Sequence, residues 1–228
     1  MEKTRRFVRR APADLVARVT AANRALPALG LVVMHSGNAS GYDPRTNRVV
    51  IKPSGMDYQL LTPEHLVEVD LDTGKSIPCA LRPSVDLPHH LYLYRNLPGV
   101  CSVIHTHSNY ATAFAACQQP IPLCLTAIAD EFGDQIPCAP YVGNEGDEIG
   151  RAILRYRNKA PAILLANHGV FAWGPSPEEA LKAAAMVEDV AKTVFFAKQI
   201  GQPRILPSAE VERWHERYRN RYGQRRAA

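Results

Sequence analysis

The chain lacks the features that mark exported, membrane-spanning and repetitive proteins. None of its apolar runs reaches the roughly 18 residues needed to span a bilayer, and it has no internal repeat or low-complexity linker. Its five cysteines are odd in number and include no Cys-x-x-Cys pair, so we expect reduced thiols. The basic N-terminus is followed by a segment too charged for a signal peptide. We therefore expect a cytoplasmic protein with no membrane partner.

Length, composition and charge are those of an ordinary globular protein. The 228 residues are 46% hydrophobic and 21% charged, which predicts a single domain over residues 1–228. The net charge of +5 lies largely in arginines near the two ends. Nucleic-acid-binding surfaces more often interleave basic and aromatic residues, so we expect no nucleic-acid partner. An anionic small substrate fits the charge equally well.

Hydrophobic periodicity predicts an α/β domain in which strands alternate with helices. A first helix is expected between Pro12 and Pro27, and the other predicted helices cover residues 86–97, 108–117, 145–157, 176–200 and a segment from 208. Strand-like runs cover residues 29–33, 48–53, 65–74, 100–107 and 162–167. Residues 42–50 have the Asp-Pro and Asn punctuation of a hairpin turn between the first two runs.

The segment SVIHTHSNYA, residues 102–111, places two histidines one residue apart at the end of an apolar run. In a strand, the side chains of His105 and His107 would point to the same side of the sheet. His168 is the best third candidate, because it follows another apolar run and precedes Gly169, which permits close backbone approach. Three histidines suit a catalytic Zn²⁺ or a similar divalent ion. The alternative is a hydrogen-bonded pair of core histidines and an unrelated third.

Three further side chains could carry chemistry, and each also has a purely structural interpretation. Asp86 stands at a predicted helix start, where it could serve only as an N-cap. Asp130 directly follows an apolar stretch and could lie in a solvated loop. Tyr222 is on the apolar side of the last predicted helix and could simply pack there.

Two short loops contain groups that suit a phosphate dianion. Gly37 and Asn38 lie in HSGNAS, while Lys52, Ser54 and Gly55 lie in KPSG. Such loops offer backbone N–H groups, hydroxyls and one cation. Each loop alone is a weak signal, because Ser-Gly and Gly-Asn are common turn pairs.

Taken in order, these segments resemble the class II aldolase/adducin family. The matching stretches, which span residues 36–224, are SGNAS, IKPSGMDY, RPSVD, VIHTHS, IPCAPY, NHGVFAWG and YGQ. The resemblance implies a three-layer α/β/α sandwich around a largely antiparallel central sheet. It also implies a homotetramer with active sites between subunits.

The resemblance further implies a role for each site residue. His105, His107 and His168 would hold one divalent metal ion per subunit, Zn²⁺ in preference to Mn²⁺ or Co²⁺, with Asp86 as a candidate fourth ligand and catalytic group. Asp130 and Tyr222 would be an acid/base pair supplied by the neighbouring subunit. The substrate and its phosphate would be bound by Gly37, Asn38, Lys52, Ser54, Gly55, Ser84 and Val85.

Within the family, the chain is most similar to the sugar-phosphate 4-epimerases, because Asp86, Asp130 and Tyr222 match their acidic and tyrosine positions. The implied substrate is a phosphorylated ketose, and the implied reaction is the conversion of L-ribulose 5-phosphate to D-xylulose 5-phosphate by C–C cleavage and re-formation. Val85 and Leu87 replace the hydroxyl residues usual in these epimerases, which leaves the exact sugar open. The alternatives are an aldolase of the L-fuculose 1-phosphate type, and a decarboxylase or dehydratase. The intact histidines disfavour a non-enzymatic, adducin-like scaffold.

Overall fold

A computed structural model describes residues 9–221 of the chain. Its α-helices are α1 (Ala13–Ala28), α2 (Leu87–Asn96), α3 (Asn109–Ala116), α4 (Thr126–Phe132), α5 (Glu148–Tyr156), α6 (Pro177–Ile200) and α7 (Ser208–Arg221). Its strands are β1 (Asn38–Asp43), β2 (Arg48–Ile51), β3 (Val67–Asp70), β4 (Ser102–Thr106), β5 (Cys138–Ala139), β6 (Ala162–Leu165) and β7 (Gly169–Gly174). A 3₁₀ turn covers Pro63–His65.

The strands form one sheet in the order β3-β2-β1-β4-β7-β6-β5, in which only the short β5–β6 pair is parallel. Alternate side chains of β4 enter two separate cores, since Ile104 packs with α1, α3, α4 and α6, whereas Val103 packs with α2 and α5. The sheet is therefore covered by helices on both faces. This confirms the expected three-layer α/β/α sandwich with a largely antiparallel sheet.

Most predicted elements are confirmed to within a few residues. The helices expected at 86–97, 108–117, 145–157, 176–200 and from 208 correspond to α2, α3, α5, α6 and α7. Ser176 caps α6 by accepting a hydrogen bond from the backbone N–H of Glu179 at 3.3 Å. Within residues 9–221, no helix combines the length and the apolarity needed to cross a membrane.

The strand predicted at 29–33 is wrong. This segment contains no strand, because α1 ends there in a turn at Gly30, which has φ 68°. The first strand of the hairpin is β1. It was not predicted because its buried residues include Asn38 and Ser40, polar types that are common in loops. The turn expected within residues 42–50 is confirmed between β1 and β2.

Two elements at the site were not predicted. Residues 126–132 form α4, so the solvated-loop interpretation of Asp130 is wrong. The apolar residues after His168 form β7, which pairs with β4 and β6 across the middle of the sheet. The break between β6 and β7 is only a three-residue turn, with Asn167 at φ 59°.

Helix α1 packs closely against β1 at Gly41, and this contact generates a stability prediction. A Cβ at Gly41 would lie 2.5 Å from Val19 Cγ2 and 2.8 Å from Leu15 Cδ1. We expect Gly41→Ala to lower the free energy of unfolding by about 1–3 kcal/mol through overpacking. Gly201→Ala is the control, because a Cβ at Gly201 meets nothing within 4 Å. Equal urea midpoints for the two variants would contradict this packing.

Candidate active site

Three histidines meet where β4 ends and β7 begins. His105 lies in β4 opposite Phe171 of β7, His107 follows the strand, and His168 lies in the turn before β7. Their ring centroids are 4.6 Å (His105–His107), 4.9 Å (His105–His168) and 5.2 Å (His107–His168) apart. The candidate ligand atoms, one per ring, lie within 4.8 Å of one another. The antiparallel β4–β7 pairing therefore brings together the three histidines that the sequence predicted as ligands.

The ring of His105 is oriented by the backbone of β7. Its Nδ1 donates a hydrogen bond to the carbonyl oxygen of Val170 at 2.8 Å, which leaves Nε2 as the atom with a free lone pair. The ring of Phe171 stacks on it at 4.4 Å. Burial lowers the pKa of His105 to about 3, and burial also lowers the pKa of His107 and of His168. All three imidazoles are therefore held neutral, as metal ligands must be.

Two glycines permit the close backbone approach around these rings. A Cβ at Gly169 would lie 2.5 Å from the carbonyl oxygen of Thr106 and 2.6 Å from His107 Cδ2. Gly37, at φ 74°, would place a Cβ 2.7 Å from the carbonyl oxygen of His105. The predicted close approach at Gly169 is thus confirmed, and Gly37 has the same role on the other side of β4.

The segment after His107 is anchored by a carboxylate from a different helix. Helix α3 begins at Asn109 and has no side-chain cap from Ser108. The carboxylate of Glu188 on α6 instead accepts the backbone N–H groups of Tyr110 and Ala111, at 3.0 and 2.9 Å. This contact fixes the start of α3 immediately beyond the histidine pair.

Asp86 occupies the N-cap position of α2 but makes no capping hydrogen bond. Its carboxylate instead accepts a hydrogen bond from Asn38 Nδ2 at 2.6 Å and lies beside the hydroxyl of Ser84. Burial raises the pKa of Asp86, but the hydrogen bond from Asn38 stabilises the carboxylate, and the net pKa lies below its ordinary value. The carboxylate is therefore ionised and directed toward the site.

The predicted substrate-binding residues line the same cavity as the three histidines. This cavity has a volume of about 180 Å³ and includes Gly37, Asn38, Lys52, Ser54, Gly55, Ser84, Val85 and Asp86. Lys52 is only 1% exposed. Burial lowers its pKa, and the negative charge of Asp57, which raises it, offsets only part of this effect. Val85 is 71% exposed at the rim, whereas the neighbouring Leu87 packs into the core under α2.

Several residues of the site were not identified from the sequence. His35 and Asn144 also line the cavity. Tyr58 lies under the amine of Lys52, with Nζ 4.6 Å from its ring, and its hydroxyl shares one donated hydrogen bond between the carbonyl oxygens of Ser36 and Gly37. The Gly143–Asn144 pair repeats the Gly-Asn sequence of Gly37–Asn38. This repeat was the one sequence signal that could have indicated that the loop containing Asn144 contributes to the site.

Asp130 does not join this cavity within one chain. It lies on α4 and lines a different cavity, of about 170 Å³, with Thr126, Trp214, Arg217 and Tyr218. Its backbone carbonyl accepts a hydrogen bond from His215 Nδ1 on α7 at 2.9 Å. Burial raises the pKa of Asp130 and outweighs the opposing effect of Arg217. Tyr222 lies outside the described residues.

Comparisons with known proteins agree with this arrangement. Residues 17–195 match the family described as "Class II Aldolase and Adducin N-terminal domain". The chain is 37% identical over 197 residues to the L-ribulose-5-phosphate 4-epimerase UlaF of Salmonella paratyphi C (strain RKS4594), covering 82% of this chain and 86% of that protein.

Solved structures of the same fold match nearly the whole chain. An L-fuculose 1-phosphate aldolase superposes with a TM-score of 0.83 at 27% identity, covering 92% of this chain and 98% of that one. YgbL of Escherichia coli, described as a putative aldolase/epimerase/decarboxylase, gives a TM-score of 0.76 at 27% identity, covering 89% and 98%. The chain therefore belongs to the class II aldolase and adducin family, as an enzyme of its epimerase and aldolase class.

Proposed function

We propose that this chain is a metal-dependent sugar-phosphate 4-epimerase that converts L-ribulose 5-phosphate to D-xylulose 5-phosphate. The observation that carries the proposal is the single cavity that joins three neutral histidines and an ionised Asp86 to a buried Lys52. The similarity to UlaF supports the substrate. In this reaction the C–C bond beside the inverted centre breaks, the aldehyde fragment turns, and the bond forms again on its other face.

The donor set fits a divalent cation. His105, His107 and His168 would hold it, because His105 Nε2 has its lone pair free and His107 Nε2 is buried without a hydrogen-bond partner among the described residues. Asp86 would complete the site. We propose Zn²⁺ over Mn²⁺ and Co²⁺, since imidazole-rich sites bind Zn²⁺ more tightly. When bound, the cation supplies Lewis-acid stabilisation of negative charge on a substrate oxygen.

The opposite side of the cavity would bind the substrate phosphate. Lys52 supplies an ammonium group that is shielded from bulk water, and Ser54 and Ser84 supply hydroxyl donors. Gly55, at φ 67°, allows its loop to present backbone N–H groups. A phosphate held there would retain the aldehyde fragment while it turns, which is the step that separates an epimerase from an aldolase.

We propose that Asp130 and Tyr222 act on a neighbouring subunit's substrate in a homotetramer. Two proton-transfer groups on opposite sides of the substrate are needed, one for each epimer. Asp130 and the histidines line different cavities of one chain, which supports a site shared between chains. Large apolar side chains at the cavity rim or in adjoining loops, namely Val33, Met34, Val85 and Tyr141, are 67–75% exposed, as expected of a surface covered by another copy.

We also propose a reducing, cytoplasmic setting for the enzyme. All five cysteines are free thiols, and Cys79 and Cys117 are exposed. Exposed unpaired thiols are typical of proteins kept under reducing conditions.

An aldolase is the second candidate, because the solved L-fuculose 1-phosphate aldolase has closely similar architecture. It would use the same histidines but release both fragments. A decarboxylase or dehydratase on the same histidine cluster is a further alternative.

The metal site generates a binding prediction. We expect about one Zn²⁺ per chain in wild type, and an affinity lowered by more than about 100-fold in His168→Ala, which removes a ligand. Gly169→Ala is expected to weaken binding about 10- to 100-fold, because the new Cβ overlaps the Thr106 carbonyl oxygen and the His107 ring and so shifts the end of β4 that positions the ligands. Elemental analysis after dialysis against graded chelator measures both effects. His65→Gln, outside the site, is the control; equal zinc retention by all four proteins would exclude this ligand set.

The reaction is tested by a product assay on the metal-loaded protein. With L-ribulose 5-phosphate we expect D-xylulose 5-phosphate and no free glycolaldehyde phosphate, because the phosphate pocket retains the aldehyde. The activity should fall by about 10²- to 10⁴-fold in Tyr222→Phe, which removes a proton-transfer group. Release of free aldehyde from this sugar, or from L-fuculose 1-phosphate assayed in parallel, would instead assign an aldolase.

The shared site is tested by mixing two inactive variants. His168→Ala lacks a metal ligand, and Asp130→Asn lacks the proton-transfer group of the neighbour. If subunits exchange, mixed tetramers contain some sites with both groups intact, and random mixing restores up to about a quarter of wild-type activity. No recovery after verified subunit exchange would place Asp130 and the histidines of one chain in the same site, or exclude Asp130 from catalysis.

A further inference from the structure

The loop between β5 and α5 brings Asn144 into the cavity that contains the three histidines. Asn144 is exposed, but the oxygen of its side-chain amide is held by a hydrogen bond. Its Oδ1 lies 2.8 Å from Nε2 of His89, a residue only 1% exposed. Because an amide oxygen only accepts hydrogen bonds, Nε2 of His89 is the donor.

His89 ties Asn144 to the metal-ligand side of the cavity. It lies on α2 one turn after Asp86, and its ring forms a T-shaped pair with the ring of Phe171, with centroids 6.4 Å apart. Phe171 in turn stacks on His105. Lys52 and Ser54, the groups suited to phosphate, belong to the separate loop that follows β2.

The other half of the amide is available to a ligand. Among residues 9–221, the one hydrogen bond of the Asn144 side chain is that between its Oδ1 and His89, so its Nδ2 can donate its hydrogens to a molecule in the cavity. A neutral amide donor suits a hydroxyl or carbonyl oxygen, whereas a phosphate dianion is better matched by an ammonium group. The rigid support from His89 also reduces the entropy lost when Asn144 binds.

We propose that Asn144 is a specificity-determining residue that donates a hydrogen bond to a sugar oxygen of the phosphorylated ketose, and that His89 is its positioning residue. This inference rests on the proposed function for its substrate class. It implies discrimination against sugars that lack an oxygen at this place, because the amide would then be left unpaired.

The test is calorimetric binding of L-ribulose 5-phosphate, L-fuculose 1-phosphate and inorganic phosphate to the metal-loaded protein. In Asn144→Ala, we expect about 10-fold weaker binding of the ketose phosphate that wild type binds best, and inorganic phosphate affinity within about 2-fold of wild type. Asn144→Asp should weaken ketose binding at least as much, because a carboxylate offers no donor. His89→Phe should weaken it about 3-fold, because Asn144 loses its support but keeps its amide.

Asn96→Ala is the matched control, since Asn96 is exposed at the far end of α2 and its Nδ2 bonds only to the local Tyr92 carbonyl. Unchanged ketose binding in Asn144→Ala would overturn the inference, and so would an equal loss for ketose and inorganic phosphate. A wild type that binds a ketose phosphate but forms no epimer would overturn the proposed reaction, while the binding ratio would still decide the role of Asn144. A wild type that binds neither ketose phosphate would overturn both.

Discussion

The antiparallel pairing of β4 with β7 is the constraint on which the candidate site depends. It places His105 beside Val170 and Phe171, so that one ring nitrogen is occupied by a backbone carbonyl and the other is directed into the cavity. It also brings the turn that contains His168 next to the end of β4. This pairing tolerates no side chain at Gly169, because a Cβ there would overlap the backbone of Thr106.

Burial sets the protonation of the groups around this pairing. The three histidines are kept neutral by desolvation, while Asp86 stays ionised because the amide of Asn38 donates a hydrogen bond to its carboxylate. A neutral nitrogen set with one anion nearby favours a cation. Across the cavity, the buried amine of Lys52 favours an anion. One side of the cavity thus favours a cation and the other side favours an anion. This arrangement suits a substrate with a metal-binding end and a phosphate end.

Helix α2 links these features to one another. Its first turn presents Asp86, and the following turn places His89 under Asn144. His90, fully buried, contacts the hydroxyl of Ser40 in β1 at 2.7 Å and so holds the helix against the sheet. The start of α3, fixed by Glu188, gives similar support on the opposite face. The site is therefore supported by both helical layers of the sandwich and depends on the sheet between them.

The sequence by itself determined the histidine set, the main helices and the family, because short motifs and 3.6-residue periodicity are local properties. Asn38, Lys52 and Asp86 could also be named, since their motifs stand in a recognisable order. Only the tertiary structure decided that Asp86 accepts a hydrogen bond from Asn38 instead of capping α2. It also decided that β1 is a buried strand despite its polar residues, and that Asn144 lines the cavity. These findings depend on contacts between residues more than 40 positions apart, or on the burial of polar side chains. The local sequence pattern contains no information about either. The separation of Asp130 from the histidines has the same origin, because it depends on how α4 and α7 pack at a distance from the β4–β7 turn.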